Sequence, residues 1–181
     1  MQLNIVFLSL TYLFYFGHLG VIAPFLGVFL DGRGLTSNEI GSLVAIMTVA
    51  RLIAPNLWAN FADKSGKSLS VIRFGSFCAF LTFLGLFWAT GFTAVALTLA
   101  ISIGFWTSIV PQLEQLTLKA IGGDSARYSR IRMWGSIGFI LMSVLCGWLM
   151  DFYGSEVILF CSAIMLLFLF FNTLLLKGDT R

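Results

Sequence analysis

From Leu3 to Leu30 the chain runs for 28 residues without a single Lys, Arg, Asp or Glu. At about 1.5 Å of rise per residue, a helix of that length exceeds the roughly 30 Å of a bilayer's hydrocarbon core. In oil the backbone amides must pair within the segment itself, which selects a helix over any open strand. The stretch is longer than the roughly 7–15 apolar residues of a secretory leader and lacks a basic lead-in, so it reads as a spanning helix that stays. Five comparable stretches follow, and the expected spans are 4–30, 37–62, 69–89, 92–118, 127–150 and 157–176. The separators DGRGLTSNE, ADKSGKS, TG, KAIGGDSA, DFYGSE and KGDTR hold most of the charges and turn formers. With 59% hydrophobic and 10% charged residues, the chain lacks the charge needed to wet a soluble surface. The expected fold class is all-α integral membrane: a single six-helix transmembrane bundle over 1–181, within which two inverted three-helix repeats could lie.

Charge sets the orientation. Lys64, Lys67, Arg73, Lys119, Arg127, Arg130, Lys177 and Arg181 flank alternate connections, whereas the others hold Asp31, Glu39, Asp151 and Glu156 with only Arg33. Positive charge resists translocation, so the basic side is expected to be cytoplasmic, with both termini inside an inner (plasma) membrane. Cys78, Cys146 and Cys161 fall in apolar runs without metal-ligand spacing and read as small buried hydrophobes. With one histidine and no nucleophile–base arrangement, an enzyme is not expected. No metal, cofactor or nucleic acid is expected as a partner.

Three ionisable residues lie inside the expected spans: Arg51, Glu114 and Arg132. Each costs roughly 2.5–3.5 kcal/mol at a helix centre, so each should face a protein interior or a wet cavity. Glu114 and Arg132 lie at equal sequence distance on either side of Gly123, which returns them to about the same depth. They could pair with each other or share one polar ligand. Arg132, Ser136, Phe139 and Ser143 share one helical face, and Gly104, Thr107, Pro111, Glu114 and Gln115 form a comparable stripe. Facing each other, the stripes would outline a cavity; the alternative is a buried pair that only fixes the hairpin. Leu141, Val144 and Leu145 lie elsewhere and suit lipid or packing, and Arg130 is near enough to water to snorkel. Arg51 either faces a cavity or bonds carbonyls freed by Pro55. His18 is either a packing residue or a ligand or proton site. Gly17, Gly20, Pro24 and Gly27 interrupt the first helix, for close packing or for a kink.

The segment NFADKSGKS resembles the cytoplasmic signature G-x-L-A-D-R-x-G-R-K of the major facilitator superfamily. Asp63, Lys64, Gly66 and Lys67 fill its acidic, basic, glycine and basic positions, while Ala59 and Ser68 depart from it. PQLEQ and YSRIRMWGSIGF are similar to segments of that superfamily's proton-coupled sugar symporters. With VARLI around Arg51, they are more similar still to its phenylpropionate permease branch. The resemblance covers essentially the whole chain but only the N-terminal half of the family's twelve helices. It implies substrate binding by Glu114 and Arg132, an aromatic wall at Phe139, and contributions from Ser136, His18 and Arg51. It also implies an inside gate at Asp63, Lys64, Gly66 and Lys67. The implied function is the N-terminal half of a secondary active transporter, a proton-coupled symporter of a small organic solute by alternating access. That solute would be an aromatic acid such as phenylpropionate, or a sugar. The expected partners are that small-molecule substrate, protons, the lipid bilayer, and either the missing C-terminal half or a second copy of the chain. A self-sufficient six-helix homodimeric carrier or channel, or a non-transporting membrane scaffold, are the alternatives.

Overall fold

In a computed structural model of the chain the described residues are 2–177, and the side chains at 2, 3 and 61–65 lie outside the description. The elements in order are α1 (Gln2–Gly32), α2 (Ser37–Ser65), α3 (Ser68–Leu84) with a 3-10 turn at Gly85–Phe87, α4 (Gly91–Trp106), α5 (Ile109–Ala120), α6 (Ser125–Tyr153) and α7 (Val157–Leu175). Among the described residues there are six segments long and apolar enough to span a membrane, and α4 with α5 makes the fourth, Gly91–Ala120. The helix expected over 92–118 is therefore broken at Thr107 and Ser108. Pro111 is the cause: it has no N–H to give, and its ring crowds the carbonyl of Thr107 four residues back. The chain tightens there, with the Ser108 N–H donating to the Phe105 carbonyl at 3.2 Å and its hydroxyl to the same oxygen at 2.5 Å. Pro24 and Pro55 sit inside α1 and α2 without ending either helix.

The packing follows the small residues. α1 lies along α6 and α7; α3 lies along α4, α5 and α7; α2 lies along α4. Counted as six spans, the pairs 1–5 and 1–6 exchange with 4–2 and 4–3, while 3–6 and 1–4 map onto themselves. This exchange is the pattern expected of two inverted three-helix repeats. At the α1–α6 crossing a Cβ on Gly138 would fall on the Leu13 carbonyl, and one on Gly20 would fall on the Phe139 main chain. The Ser143 hydroxyl donates to the Gly20 carbonyl across the same crossing at 2.7 Å. Gly17 and Gly20 thus serve close approach in an unbroken helix, as small residues do where no hydrophobic effect drives helices together. Asn172 joins α7 to α1 by donating to the Phe7 carbonyl and the Thr11 hydroxyl, both at 2.8 Å.

Each end of the bundle is closed by an arginine. Asn4 and the Lys177 main chain exchange hydrogen bonds of 3.2 and 3.1 Å, which places those residues at one end. There Arg73 on α3 donates to the carbonyls of Thr173, Leu174 and Leu176 at 3.1, 3.2 and 2.9 Å, satisfying the C-terminus of α7. At the opposite end Arg33 donates to the carbonyls of Leu86 and Ala89 at 2.6 and 3.0 Å and to both Glu156 oxygens at 2.9 Å. One guanidinium therefore ties the α1–α2, α3–α4 and α6–α7 connections together. Its hydrogen bonds hold the Glu156 carboxyl below the ordinary carboxylate value.

α2 and α6 are the least covered spans. Val49, Leu52 and Leu57 on α2 and Ile140, Leu141, Val144 and Trp148 on α6 are exposed. An apolar trough of about 550 Å³ runs along the α6 face from Ile137 to Trp148. Leu141, Val144 and Leu145 lie on this outer face, in keeping with their place off the polar stripe.

Candidate functional site

The turn between α5 and α6 is built from Gly122 and Gly123, both with positive φ (66° and 78°). Asp124 follows as the N-cap of α6, accepting from the N–H groups of Ala126 and Arg127 at 2.9 and 3.2 Å. This local geometry returns Tyr128 and Arg132 alongside α5, where Glu114 waits. The Tyr128 hydroxyl donates to Glu114 Oε1 at 3.3 Å. The Arg132 guanidinium lies 4.0 Å above the Phe16 ring and 5.6 Å from that of Tyr12. Ion pairs among the described residues are Arg33–Glu156 and Arg127–Asp124. Glu114 and Arg132 come to one locality without an ion pair between them: the carboxylate accepts from Tyr128, and the guanidinium lies over Phe16 and near Tyr12.

The floor beneath them is aromatic. The Tyr12 hydroxyl is 3.5 Å from that of Thr117, which itself donates to the Leu113 carbonyl at 2.7 Å. Tyr15 stacks on Trp106 with ring centroids 4.3 Å apart and planes 8° from parallel. It lies within electrostatic range of Arg51, Arg132 and Glu114. Glu114 and Arg132 are both half-buried, and Ser136, one turn beyond Arg132, is exposed. The cluster offers a planar donor fork, an acceptor carboxylate and flat apolar faces, on a side of α6 that is not sealed.

The remaining residues singled out in the sequence are placed unevenly around this cluster. Arg51 is half-buried on α2; its Nε is buried without a partner, so the carbonyls near Pro55 do not hold that atom. His18 is buried edge-on to Phe83 at 5.5 Å and to Trp106 at 5.2 Å, with Nδ1 unpartnered. Its contact with Trp106 leads to the cluster through the Trp106–Tyr15 stack. Phe139 is half-buried with its main chain against Gly20, and Ser143 is bonded to α1, so the backbone and Ser143 at that end of the α6 stripe serve the crossing with α1. Likewise Gly104 on α4 accepts a 3.1 Å hydrogen bond from Trp58 on α2. The side chains of Asp63 and Lys64 lie outside the described residues. Gly66 takes the turn with φ +62°, and Lys67 is exposed.

Sequence reasoning did not single out Tyr12, Tyr15, Phe16, Trp106 or Tyr128. Tyr128 had a usable signal, since it precedes Arg132 by four residues and must share its face. The α1 segment TYLFYF is aromatic at too many positions for any one face to stand out.

Comparison with known proteins agrees with this architecture. The MFS_1 like family matches residues 5–179. The Escherichia coli (strain K12) protein named "Probable 3-phenylpropionic acid transporter" is 31% identical over 153 residues, covering 84% of this chain and 40% of that protein. The maltose permease of Geobacillus stearothermophilus is 28% identical over 162 residues, covering 87% of this chain and 40% of that protein. The chain thus spans 40% of the length of these two curated relatives. Six spanning helices, the exchanged packing of two three-helix units and the match along nearly the whole sequence lead to one assignment: the chain belongs to the MFS_1 like family of the major facilitator superfamily.

Proposed function

We propose that this bundle forms one wall of a secondary active transporter that binds a small organic anion at Arg132 and Glu114 and moves it with protons by alternating access. The observation that carries this reading is the unpaired Arg132 lying over Phe16, beside a carboxylate engaged elsewhere. A half-buried guanidinium of this kind meets a carboxylate with two parallel hydrogen bonds, and the neighbouring rings suit an apolar or aromatic body. An aromatic acid is favoured, in line with the substrate named for the Escherichia coli relative. A sugar is the second reading, since a relative is named a maltose permease and the same fork accepts vicinal hydroxyls.

The open apolar faces of α2 and α6 support a second bundle as the other wall, either a C-terminal half or a second copy. In this reading the end holding Asn4 and Lys177 is cytoplasmic, because Lys67, Lys119, Arg127 and Arg130 gather there. Asp63 to Lys67 then belong to an inside gate in the plasma membrane.

Uptake of labelled 3-phenylpropionate into proteoliposomes holding the complete transporter tests the proposal. A saturable initial rate, above that of protein-free vesicles, is expected to rise with an acid-outside gradient and to fall when a protonophore is added. For one proton per monoanion, a gradient of about one pH unit drives about tenfold accumulation. Rates equal to those of protein-free vesicles for both 3-phenylpropionate and maltose would remove it.

A further inference from the structure

We infer that Tyr128 is a positioning residue that holds Glu114 away from Arg132 and so keeps the guanidinium available to an anionic solute. The solute part of this inference rests on the function proposed above; the restraint itself does not. Opposite charges at one depth in a half-buried setting attract more strongly than in bulk water, because part of their surroundings is low-dielectric protein. Left alone, Glu114 and Arg132 should close into an internal pair, yet no such pair is present among the described residues. Something must hold them apart, and two restraints are visible. The Tyr128 hydroxyl donates to Glu114 Oε1 at 3.3 Å. Phe16 and Tyr12 hold the Arg132 guanidinium from below, and Tyr12 is itself placed by its 3.5 Å contact with Thr117. Tyr128 and Arg132 share one face of α6 a turn apart, so both side chains compete for the same carboxylate on α5.

The chemistry of this arrangement is specific. A guanidinium already paired inside the protein binds an external carboxylate weakly, since the incoming anion must displace the internal one. Removing the hydroxyl by Tyr128→Phe keeps the ring and its packing but frees Glu114 to swing onto Arg132. Glu114→Gln deletes the competing charge, so the hydroxyl then has nothing to restrain. A residue that touched the solute directly would show no such dependence on Glu114.

The experiment reads Arg132 itself. The protein in lipid nanodiscs is treated with phenylglyoxal, a dicarbonyl that adds to free guanidinium groups. Peptide mass spectrometry then compares adduct formation at Arg132 with that at exposed Arg130. Tyr128→Phe is expected to slow modification of Arg132 about tenfold relative to Arg130, and Tyr128→Phe combined with Glu114→Gln to restore it. Unchanged reactivity in Tyr128→Phe would overturn the proposal, as would equal slowing with and without Glu114→Gln. Protection of wild-type Arg132 by 3-phenylpropionate supports the solute part. Lack of protection overturns that part and the transport reading of Arg132, while the restraint by Tyr128 is still decided by the two variants.

Discussion

Arg132→Ala is expected to weaken solute binding by at least about a hundredfold while leaving the bundle folded. Two hydrogen bonds from a guanidinium to a carboxylate are worth about 1.5–3 kcal/mol each, and each 1.4 kcal/mol is about a factor of ten. The fold itself asks little of this side chain. Its contacts are to the faces of Phe16 and Tyr12, and it joins neither of the ion pairs among the described residues. Such ring contacts contribute roughly 0.5–2 kcal/mol. Arg132→Lys should restore little, because a point charge on a flexible stem does not reproduce the planar fork. Equilibrium binding of 3-phenylpropionate, measured beside thermal unfolding of each variant, separates the two effects. Wild-type affinity in Arg132→Ala would remove the residue from the site.

Gly138→Ala is expected to carry the largest cost in stability. A Cβ there would lie 2.9 Å from the Leu13 carbonyl carbon and 3.0 Å from its Cα, besides striking the oxygen. Main-chain atoms inside a helix cannot turn aside as a side chain would, so α1 and α6 must separate. Separation also strains the Ser143 to Gly20 hydrogen bond of 2.7 Å. Overpacking of this kind costs on the order of 3 kcal/mol. Gly20→Ala, which meets the Phe139 main chain, should behave similarly. Gly27→Ala is the control: nothing lies within 4 Å of its added Cβ, and the change should gain up to about 1 kcal/mol from helix propensity. Equal unfolding temperatures for Gly138→Ala and Gly27→Ala would contradict the crossing described here.

Much of the fold is legible in the sequence because a bilayer admits so few solutions. Six long, predominantly apolar runs, separated by stretches richer in charges and turn formers, dictate six helices and place their ends within a few residues. The glycines of α1 read as either close packing or a kink, and the structure shows close packing at Gly17 and Gly20. What the runs do not announce is the break before Pro111, since Pro24 and Pro55 sit in helices that continue. A proline alone therefore does not mark a break in this sequence. Of the site, the depth shared by Glu114 and Arg132 follows from counting around Gly123. Their partners do not, because Phe16 and Tyr12 come from a distant helix in which aromatics occupy every face. Arg33 reads in sequence as one stray cation among acidic residues. Only the structure shows it gathering carbonyls from Leu86 and Ala89 together with Glu156. His18 and Arg51 illustrate the same limit, for depth in the membrane says nothing about which neighbour a rotamer will meet.

Whether the α6 face at Arg132 looks onto water or onto lipid is decided most directly at Ser136. This residue is exposed one turn beyond Arg132, whereas Val144, also exposed, lies in the apolar trough of the same helix. The complete transporter carrying Ser136→Cys, with its native cysteines replaced, is treated with a charged, membrane-impermeant maleimide. Rapid labelling that 3-phenylpropionate slows is expected, with Val144→Cys resisting the same reagent. If Ser136→Cys resists as Val144→Cys does, or labels at a rate the solute leaves unchanged, Arg132 faces no solute pathway and the transport reading of this site is contradicted.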